Sequence, residues 1–120
     1  MDPDDHALLQ AYAREGSQAA FATLVQRHVA LVFSAARRQM GSHDLAQEVT
    51  QLAFIALARH ARRLTPRTPV AAWLYLVTRR TALNLLRQEA RRRAREQAAV
   101  EIAAMKSPSS NWPSIEPWLD

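Results

Sequence analysis

The chain has 120 residues and a mass of 13.5 kDa, enough for one compact domain and too little for two ordinary ones. It contains no cysteine, which excludes disulfide frameworks, thiolate metal sites and thiol nucleophiles. Sixteen basic residues against eleven acidic ones give a net charge of +5, and all the basic residues except Lys106 are Arg. The acidic start and the lack of an apolar run near the roughly 20 residues that span a bilayer predict a cytoplasmic protein with no membrane segment.

The positive charge is concentrated in one third of the chain. Residues 59–95 carry eleven Arg and one acid, a net charge of +10, whereas residues 1–58 sum to −2 and residues 96–120 to −3. The guanidinium group binds phosphate and carboxylate in bidentate fashion. The segment therefore predicts a surface for nucleic acid or for an acidic protein, and a solvated Arg-rich helix face is the plainer alternative.

The composition predicts an all-α fold, because the sequence has twenty-three Ala and only two Gly and shows no strand pattern. The apolar spacing indicates a compact bundle of about four helices that ends in a long Arg-rich helix. The first helix is predicted over about residues 5–14, with Asp4 as its N-cap and Gly16 after its end.

The second and third helices are predicted from apolar residues at three- and four-residue steps. Ser17 should cap the second helix, which closes at Gly41, and Ser42 should cap the third, which runs to about His60. The apolar stripe of the second comprises Phe21, Leu24, Val25, His28, Leu31, Val32 and Ala35. The third has a predicted buried face of Leu45, Val49, Leu52, Ala53, Ala56 and Leu57, and a polar face of Asp44, Gln47, Glu48 and Gln51.

Two prolines interrupt the helical pattern between Arg62 and Pro69, which predicts a loop. From Val70 no breaker occurs before about Lys106, which predicts a helix about 55 Å long whose second half lies outside the core. One edge of this helix carries Arg80, Asn84, Arg87, Arg91 and Arg95. Two apolar faces of its first half are predicted to be buried, one with Leu74, Val77 and Leu85, the other with Leu76, Leu83, Leu86 and Ala90. Residues 107–120 are predicted to form a linker.

Catalysis has little support in the sequence. The four histidines, His6, His28, His43 and His60, are scattered one to an element, and no pair of acids is set up as acid and base. A lone histidine on an apolar stripe, such as His28, is more often a core or boundary residue than a ligand. A Gly-rich phosphate loop is also missing, so we expect no catalytic residue, no metal site and no cofactor.

Two motifs in the chain resemble region 2 of the extracytoplasmic-function (ECF) sigma factors of bacterial RNA polymerase. The first is Asp44-Leu-Ala-Gln-Glu-Val-Thr-Gln-Leu-Ala-Phe54, and the second is Ala72-Trp-Leu-Tyr75 followed by an Arg-rich helix. The likeness extends over about residues 5–101, since residues 20–28 resemble the opening helix of that family. The order and spacing of the motifs, together with the charge pattern, make the resemblance specific.

The resemblance implies two binding surfaces. Asp44, Gln47, Glu48 and Gln51 correspond to the surface that docks on the clamp helices of the polymerase β′ subunit. The loop from Arg62 to Val70, with Arg63, Thr65, Arg67 and Thr68, corresponds to the segment that holds a flipped base of the minus-ten element, on the non-template single strand. Arg79, Arg80, Asn84, Arg87 and Arg91 then fall on the helix that contacts and melts that element.

The resemblance also implies an anti-sigma factor as a further partner, and a linker that leads into a helix-turn-helix region 4. Residues 1–106 form the predicted region 2 domain, and residues 113–120 resemble the end of that linker. Because the sequence stops at Asp120, we expect a longer protein or a partner that supplies region 4. Thr78, Arg80 and Asn84 depart from the Ala, Asn and Asp that are usual in the family at these positions, so a promoter consensus does not carry over.

Two other classes of protein remain as alternatives. In the first, the Arg edge binds an acidic protein partner and the chain is an interaction or adaptor protein. Salt-dependent binding to single-stranded promoter DNA would distinguish a sigma factor from it, because counterion release is a signature of phosphate contacts. The second, a small RNA-processing enzyme, would require phosphodiesterase or transferase activity.

Overall fold

The structure, a computed structural model, describes residues 3–106, and within this range it consists of helices and their connections without any strand. The four α-helices are α1 (Asp5–Glu15), α2 (Gln18–Met40), α3 (His43–His60) and α4 (Val70–Lys106), and a short 3-10 turn (Ala61–Arg63) follows α3. The predicted all-α fold is confirmed. The predicted linker at residues 107–120 lies outside the described residues.

The helix boundaries follow the capping residues that the sequence predicted. Asp4, Ser17 and Ser42 each accept a hydrogen bond from the backbone amide three residues further on, at 2.7, 3.1 and 3.4 Å respectively. Gly16 and Gly41 end α1 and α2 with φ of 70°, a left-handed conformation that glycine adopts without a steric penalty. Short polar caps and two glycines therefore divide an Ala-rich chain into separate helices.

The described residues divide into two compact units, a first that ends at Leu86 and a second that begins at Arg87. In the first unit, one leucine from each α-helix is fully buried at the centre of the core: Leu9, Leu24, Leu57 and Leu74. A smaller cluster contains Ala36, Met40, Ala46, Val49 and Ala82. The core thus joins α1, α2 and α3 to the first part of α4.

An acidic side chain of α1 partners a buried histidine of α2. Asp5 Oδ2 lies 2.7 Å from His28 Nε2, and Asp5 Oδ1 accepts a hydrogen bond from Arg27 Nη1 at 3.1 Å. Because a buried polar group without a partner is costly, the pair explains how a histidine occupies the apolar stripe of α2. His28 is thus a satisfied core residue, and no cluster of three potential metal ligands occurs in the described range.

Some predicted core positions are exposed. Leu31 is 39% exposed, whereas His28, Val32 and Ala35 in the adjoining turns of α2 are buried. Leu52 is also 39% exposed, since the buried face of α3 is rotated toward Thr50 and Phe54. Both leucines were expected to be buried from their spacing alone.

The fourth helix buries one apolar face instead of the two that we predicted. Its buried residues recur every four positions: Val70, Leu74, Thr78 and Ala82. The second predicted face, consisting of Leu76, Leu83, Leu86 and Ala90, is exposed. The other helices of the core cover only one side of the first part of α4. The apolar spacing was compatible with two buried faces, but only the covered face is buried. Residues 91–106 are exposed throughout.

The second helix is apolar enough to raise the question of a membrane. Over residues 18–40, an 18-residue window reaches a mean hydropathy of 1.3, which by length and composition alone would allow a transmembrane span. The sequence was expected to contain no such stretch. Leu24, His28 and Val32 of this helix are buried among the other helices, and core helices pass the same criterion.

Candidate functional site

The predicted polar face of α3 is exposed to solvent. Asp44, Gln47, Glu48 and Gln51 are all exposed, and their spacing places them along one side of the helix. Ser42 begins the helix immediately before them, so that Asp44 lies in its first turn, where a negative charge is favourable. The structure therefore brings the four predicted polymerase-binding residues onto one continuous surface.

An apolar groove between α2 and α3 adjoins this polar face. The cavity has a volume of about 490 Å³ and is lined by Phe21, Val25, Val29, Thr50, Gln51, Phe54, Ile55 and Ala58. Gln51 belongs to both the groove and the polar face. This groove was not predicted. Its only signal in the sequence is that Val29 and Ile55 are apolar but lie outside the predicted buried stripes.

The loop between the 3-10 turn and α4 contains a tight turn. Thr68 N donates a hydrogen bond to Thr65 O at 3.0 Å, with Pro66 at the second position of the turn, where its fixed φ is suited. Trp73 N then donates to Pro69 O at 3.0 Å, which starts α4. Arg63, Thr65 and Arg67 are exposed and Thr68 is half-buried.

Arg62 attaches this loop to the end of the first helix. Its Nε donates a hydrogen bond to the carbonyl oxygen of Ala13 at 3.2 Å, a residue 49 positions earlier in the chain. The last carbonyls of a helix have no partner within the helix, and a nearby arginine satisfies one of them favourably. Arg62, which sequence reasoning grouped with the DNA-binding residues, thus has a structural contact that no local pattern predicted.

A cavity of about 330 Å³ opens between the start of α1 and the loop. It is lined by Asp4, Asp5, His6, Pro66, Thr68, Pro69, Val70 and Ala71. The carboxylates of Asp4 and Asp5 already have partners, because Asp4 is the N-cap of α1 and Asp5 contacts His28. The walls of the cavity combine the two carboxylates with proline and aliphatic surfaces.

In the first unit, α4 exposes Arg79, Arg80 and Asn84, and neither arginine forms an ion pair with another described residue. Trp73, whose position in the sequence was compatible with a core anchor or with a platform for bases, is partly buried against the core. Its ring centroid lies 5.7 Å from that of His60 at the end of α3. Trp73 therefore packs against the core with part of its side chain exposed.

In the second unit, the arginines of α4 differ in their partners. Arg92 donates to Glu89 at 2.8 Å and to Glu96 at 2.6 Å. The hydrogen bond with Arg92 lowers the pKa of Glu89 below its ordinary value and raises the pKa of Arg92. Arg87 and Arg91 are exposed and take part in no ion pair among the described residues. Two of the predicted DNA-binding charges are therefore uncompensated, whereas Arg92 is neutralised locally.

Residues 24–92 match the family model of sigma-70 region 2. The match covers more than half of the chain, and the protein therefore belongs to the sigma-70 region 2 family. Region 2 acts in promoter recognition, its partners are core RNA polymerase and promoter DNA, and the family is not one of enzymes. The match includes every residue of the two predicted binding surfaces. No curated protein and no solved structure matches the chain.

Proposed function

We propose that this protein is a sigma factor of the ECF subfamily, which docks on core polymerase and recognises and melts the minus-ten element. One observation carries the proposal: within the family match, an acidic polar face on α3 and an uncompensated series of arginines in the loop and on α4 are separately exposed. Two surfaces of opposite character suit a domain that binds a protein and DNA together. The proposal includes a cytoplasmic location and an anti-sigma partner.

The polymerase-binding surface is proposed to be the polar face of α3 together with the adjoining groove. Asp44, Gln47, Glu48 and Gln51 would contact the clamp helices of the β′ subunit, with Glu48 near the middle of the face. The groove supplies apolar area beside these polar groups, and interfaces commonly combine an apolar centre with a polar rim. A helical partner with basic and aliphatic side chains fits this combination.

The DNA-binding surface is proposed to be the loop and the exposed edge of α4. Arg63, Arg67, Arg79 and Arg80 would hold phosphates of the non-template strand, and further along the helix Arg87 and Arg91 would do the same. Phosphate contacts position the strand without reading its sequence, whereas the amide of Asn84 has both a donor and an acceptor for a base edge. Arg62 would act by holding the loop on the end of α1.

The cavity beside the loop is proposed to receive a base that is extruded from the stack. Extruding a base costs a few kcal/mol, so a preformed pocket next to a rigid helix lowers the penalty that melting must overcome. The turn from Thr65 to Thr68 and the bond from Trp73 to Pro69 support this pocket, since both reduce the freedom of the loop.

A charge reversal on α3 tests the docking surface. Replacing Glu48 by Arg (Glu48→Arg) should reduce co-purification with core polymerase at least about tenfold, because like charges at an interface cost several kcal/mol. Glu15→Arg, an equal charge change at an exposed position of α1, is the matched control and should bind as the wild type does. Circular dichroism should show unchanged helix content for both. Retained binding by Glu48→Arg would overturn the docking assignment.

A further inference from the structure

Two leucines occupy the outermost line of α4 in the first unit. Leu76 is 62% exposed and Leu83 is 42% exposed. They lie about 20° apart around the helix axis, so they form one apolar ridge two turns long. We refer to Leu76 and Leu83 as the leucine ridge.

The fold does not explain the leucine ridge. The buried stripe of the same helix, from Val70 to Ala82, is centred about 180° from Leu76. No described residue of the core can therefore cover Leu76 or Leu83 without rotating the helix out of its packing. Burial of these two side chains by a partner would be favourable, because each would remove apolar surface from water.

Cations flank the ridge on both sides. Arg79 lies about 60° to one side of Leu76 and Arg80 about 40° to the other, and both are exposed. Between residues 59 and 86 the chain carries six Arg and no acid. A partner that matches this surface must present apolar area bordered by negative charge.

We propose that the leucine ridge packs against the unstacked bases of single-stranded promoter DNA and favours thymine, while Arg79 and Arg80 hold the adjoining phosphates. The proposal rests on the function proposed above and identifies how one part of its DNA surface reads bases. Aliphatic side chains have no hydrogen-bonding groups for a base edge, but they bind base faces and the C5 methyl group of thymine. The ridge would therefore distinguish thymine from uracil and cytosine by apolar contact alone.

Single-stranded DNA matches the surface better than a second copy of this chain does. Its bases provide flat apolar faces at regular intervals, and its phosphates lie beside them. On α4 the leucines likewise have arginines beside them. A second copy of this chain would instead bring Arg79 and Arg80 against identical charges, which is unfavourable. The family match already makes promoter DNA a partner of the domain.

The test compares oligothymidylate with oligodeoxyuridylate of the same length, which differ in the methyl group. Fluorescence anisotropy with the full chain at low salt should give about three- to fivefold tighter binding of the thymine strand. A double variant, Leu76→Asn with Leu83→Asn, should reduce that ratio to about one while leaving the salt dependence unchanged, because no phosphate contact is lost. Arg79→Ala with Arg80→Ala should weaken the salt dependence and preserve the ratio.

Leu31→Asn is the matched control, since Leu31 of α2 is about as exposed as Leu83. It should behave as the wild type does. The proposal is overturned if the wild type binds both strands equally, if the leucine variant keeps the preference, or if Leu31→Asn loses it. It is also overturned if sedimentation shows that the leucine variant dissociates a dimer of the chain, because the ridge would then cover a second copy. Failure of the proposed function would give a different result. The wild-type chain would then bind neither core polymerase nor either of the two strands.

Discussion

Leu74 and Leu76 are two residues apart on α4 and have opposite environments. Leu74 is fully buried in the core, whereas Leu76 is mostly exposed to solvent. The difference arises from the 200° that separates positions two residues apart on a helix, about half a turn. The two side chains are chemically identical. A comparison of the same substitution at both positions therefore measures how much burial in the core contributes to the free energy of unfolding.

Truncation of these two leucines should have very different costs. Leu74→Ala should reduce the free energy of unfolding by roughly 2–5 kcal/mol, because it leaves a cavity among residues that cannot fully collapse. Leu76→Ala, the same chemical change on the same helix, should cost less than about 0.5 kcal/mol. Urea unfolding followed by circular dichroism measures both. Equal destabilisation by the two substitutions would contradict the orientation of α4.

Arg62 illustrates a residue-scale feature that the sequence did not predict. Its partner, the carbonyl of Ala13, belongs to another helix and is remote in the sequence. Similarly, nothing in the spacing of Asp5 and His28 indicated that they would meet. Long-range side-chain contacts depend on how helices pack, and a local pattern carries no information about that.

At the scale of whole elements, local chemistry defined the helices well. Three polar caps and two glycines were predicted in their places, and the observed helices begin and end beside them. α4 also begins at the predicted residue, Val70, and it is helical as far as the described residues extend, to Lys106. Capping works through hydrogen bonds to residues three positions away, so a sequence is sufficient to identify it.

Removing one cap should destabilise the protein measurably. Ser17→Ala should cost about 1 kcal/mol, because the amide of Ala20 loses the hydroxyl acceptor at 3.1 Å. Ser34→Ala is the control: Ser34 is exposed within α2, where alanine is the better helix former, so stability should be unchanged or slightly higher. Thermal unfolding distinguishes them. A stability loss that is the same in both variants would show that the Ser17 cap is not responsible.

For the molecule as a whole, the net charge of +5 does not show which arginines have acidic partners and which do not. Arg91 has no acidic partner among the described residues, whereas Glu89 and Glu96 neutralise Arg92 beside it. Neighbouring positions in the same Arg-rich segment should therefore contribute unequally to DNA binding. The sequence predicted a cationic edge, and the ion pairs of the structure divide it into compensated and uncompensated charges.

The salt dependence of binding to single-stranded DNA measures this difference. Arg91→Gln should reduce the slope of log affinity against log salt concentration by about 0.7, the value for one lost contact with a single-strand phosphate. Arg92→Gln removes the same formal charge but should change the slope much less. Equal slopes for the two variants would mean that only the net charge matters and that Arg91 makes no specific contact.

The sequence by itself determined the all-α class, the bounds of the first three helices, the start of the fourth, the polar face of α3 and the cationic edge of α4. Each of these depends on local interactions, namely capping, helical periodicity and charge density, which a linear pattern carries in full. Only the tertiary structure decided which apolar faces are buried. Leu31, Leu52, Leu76 and Leu83 have the same hydrophobicity as the buried leucines and differ only in whether a neighbouring helix covers them. The groove beside Gln51 and the anchoring of Arg62 to Ala13 likewise arise from packing, because they bring together residues that are distant in the chain.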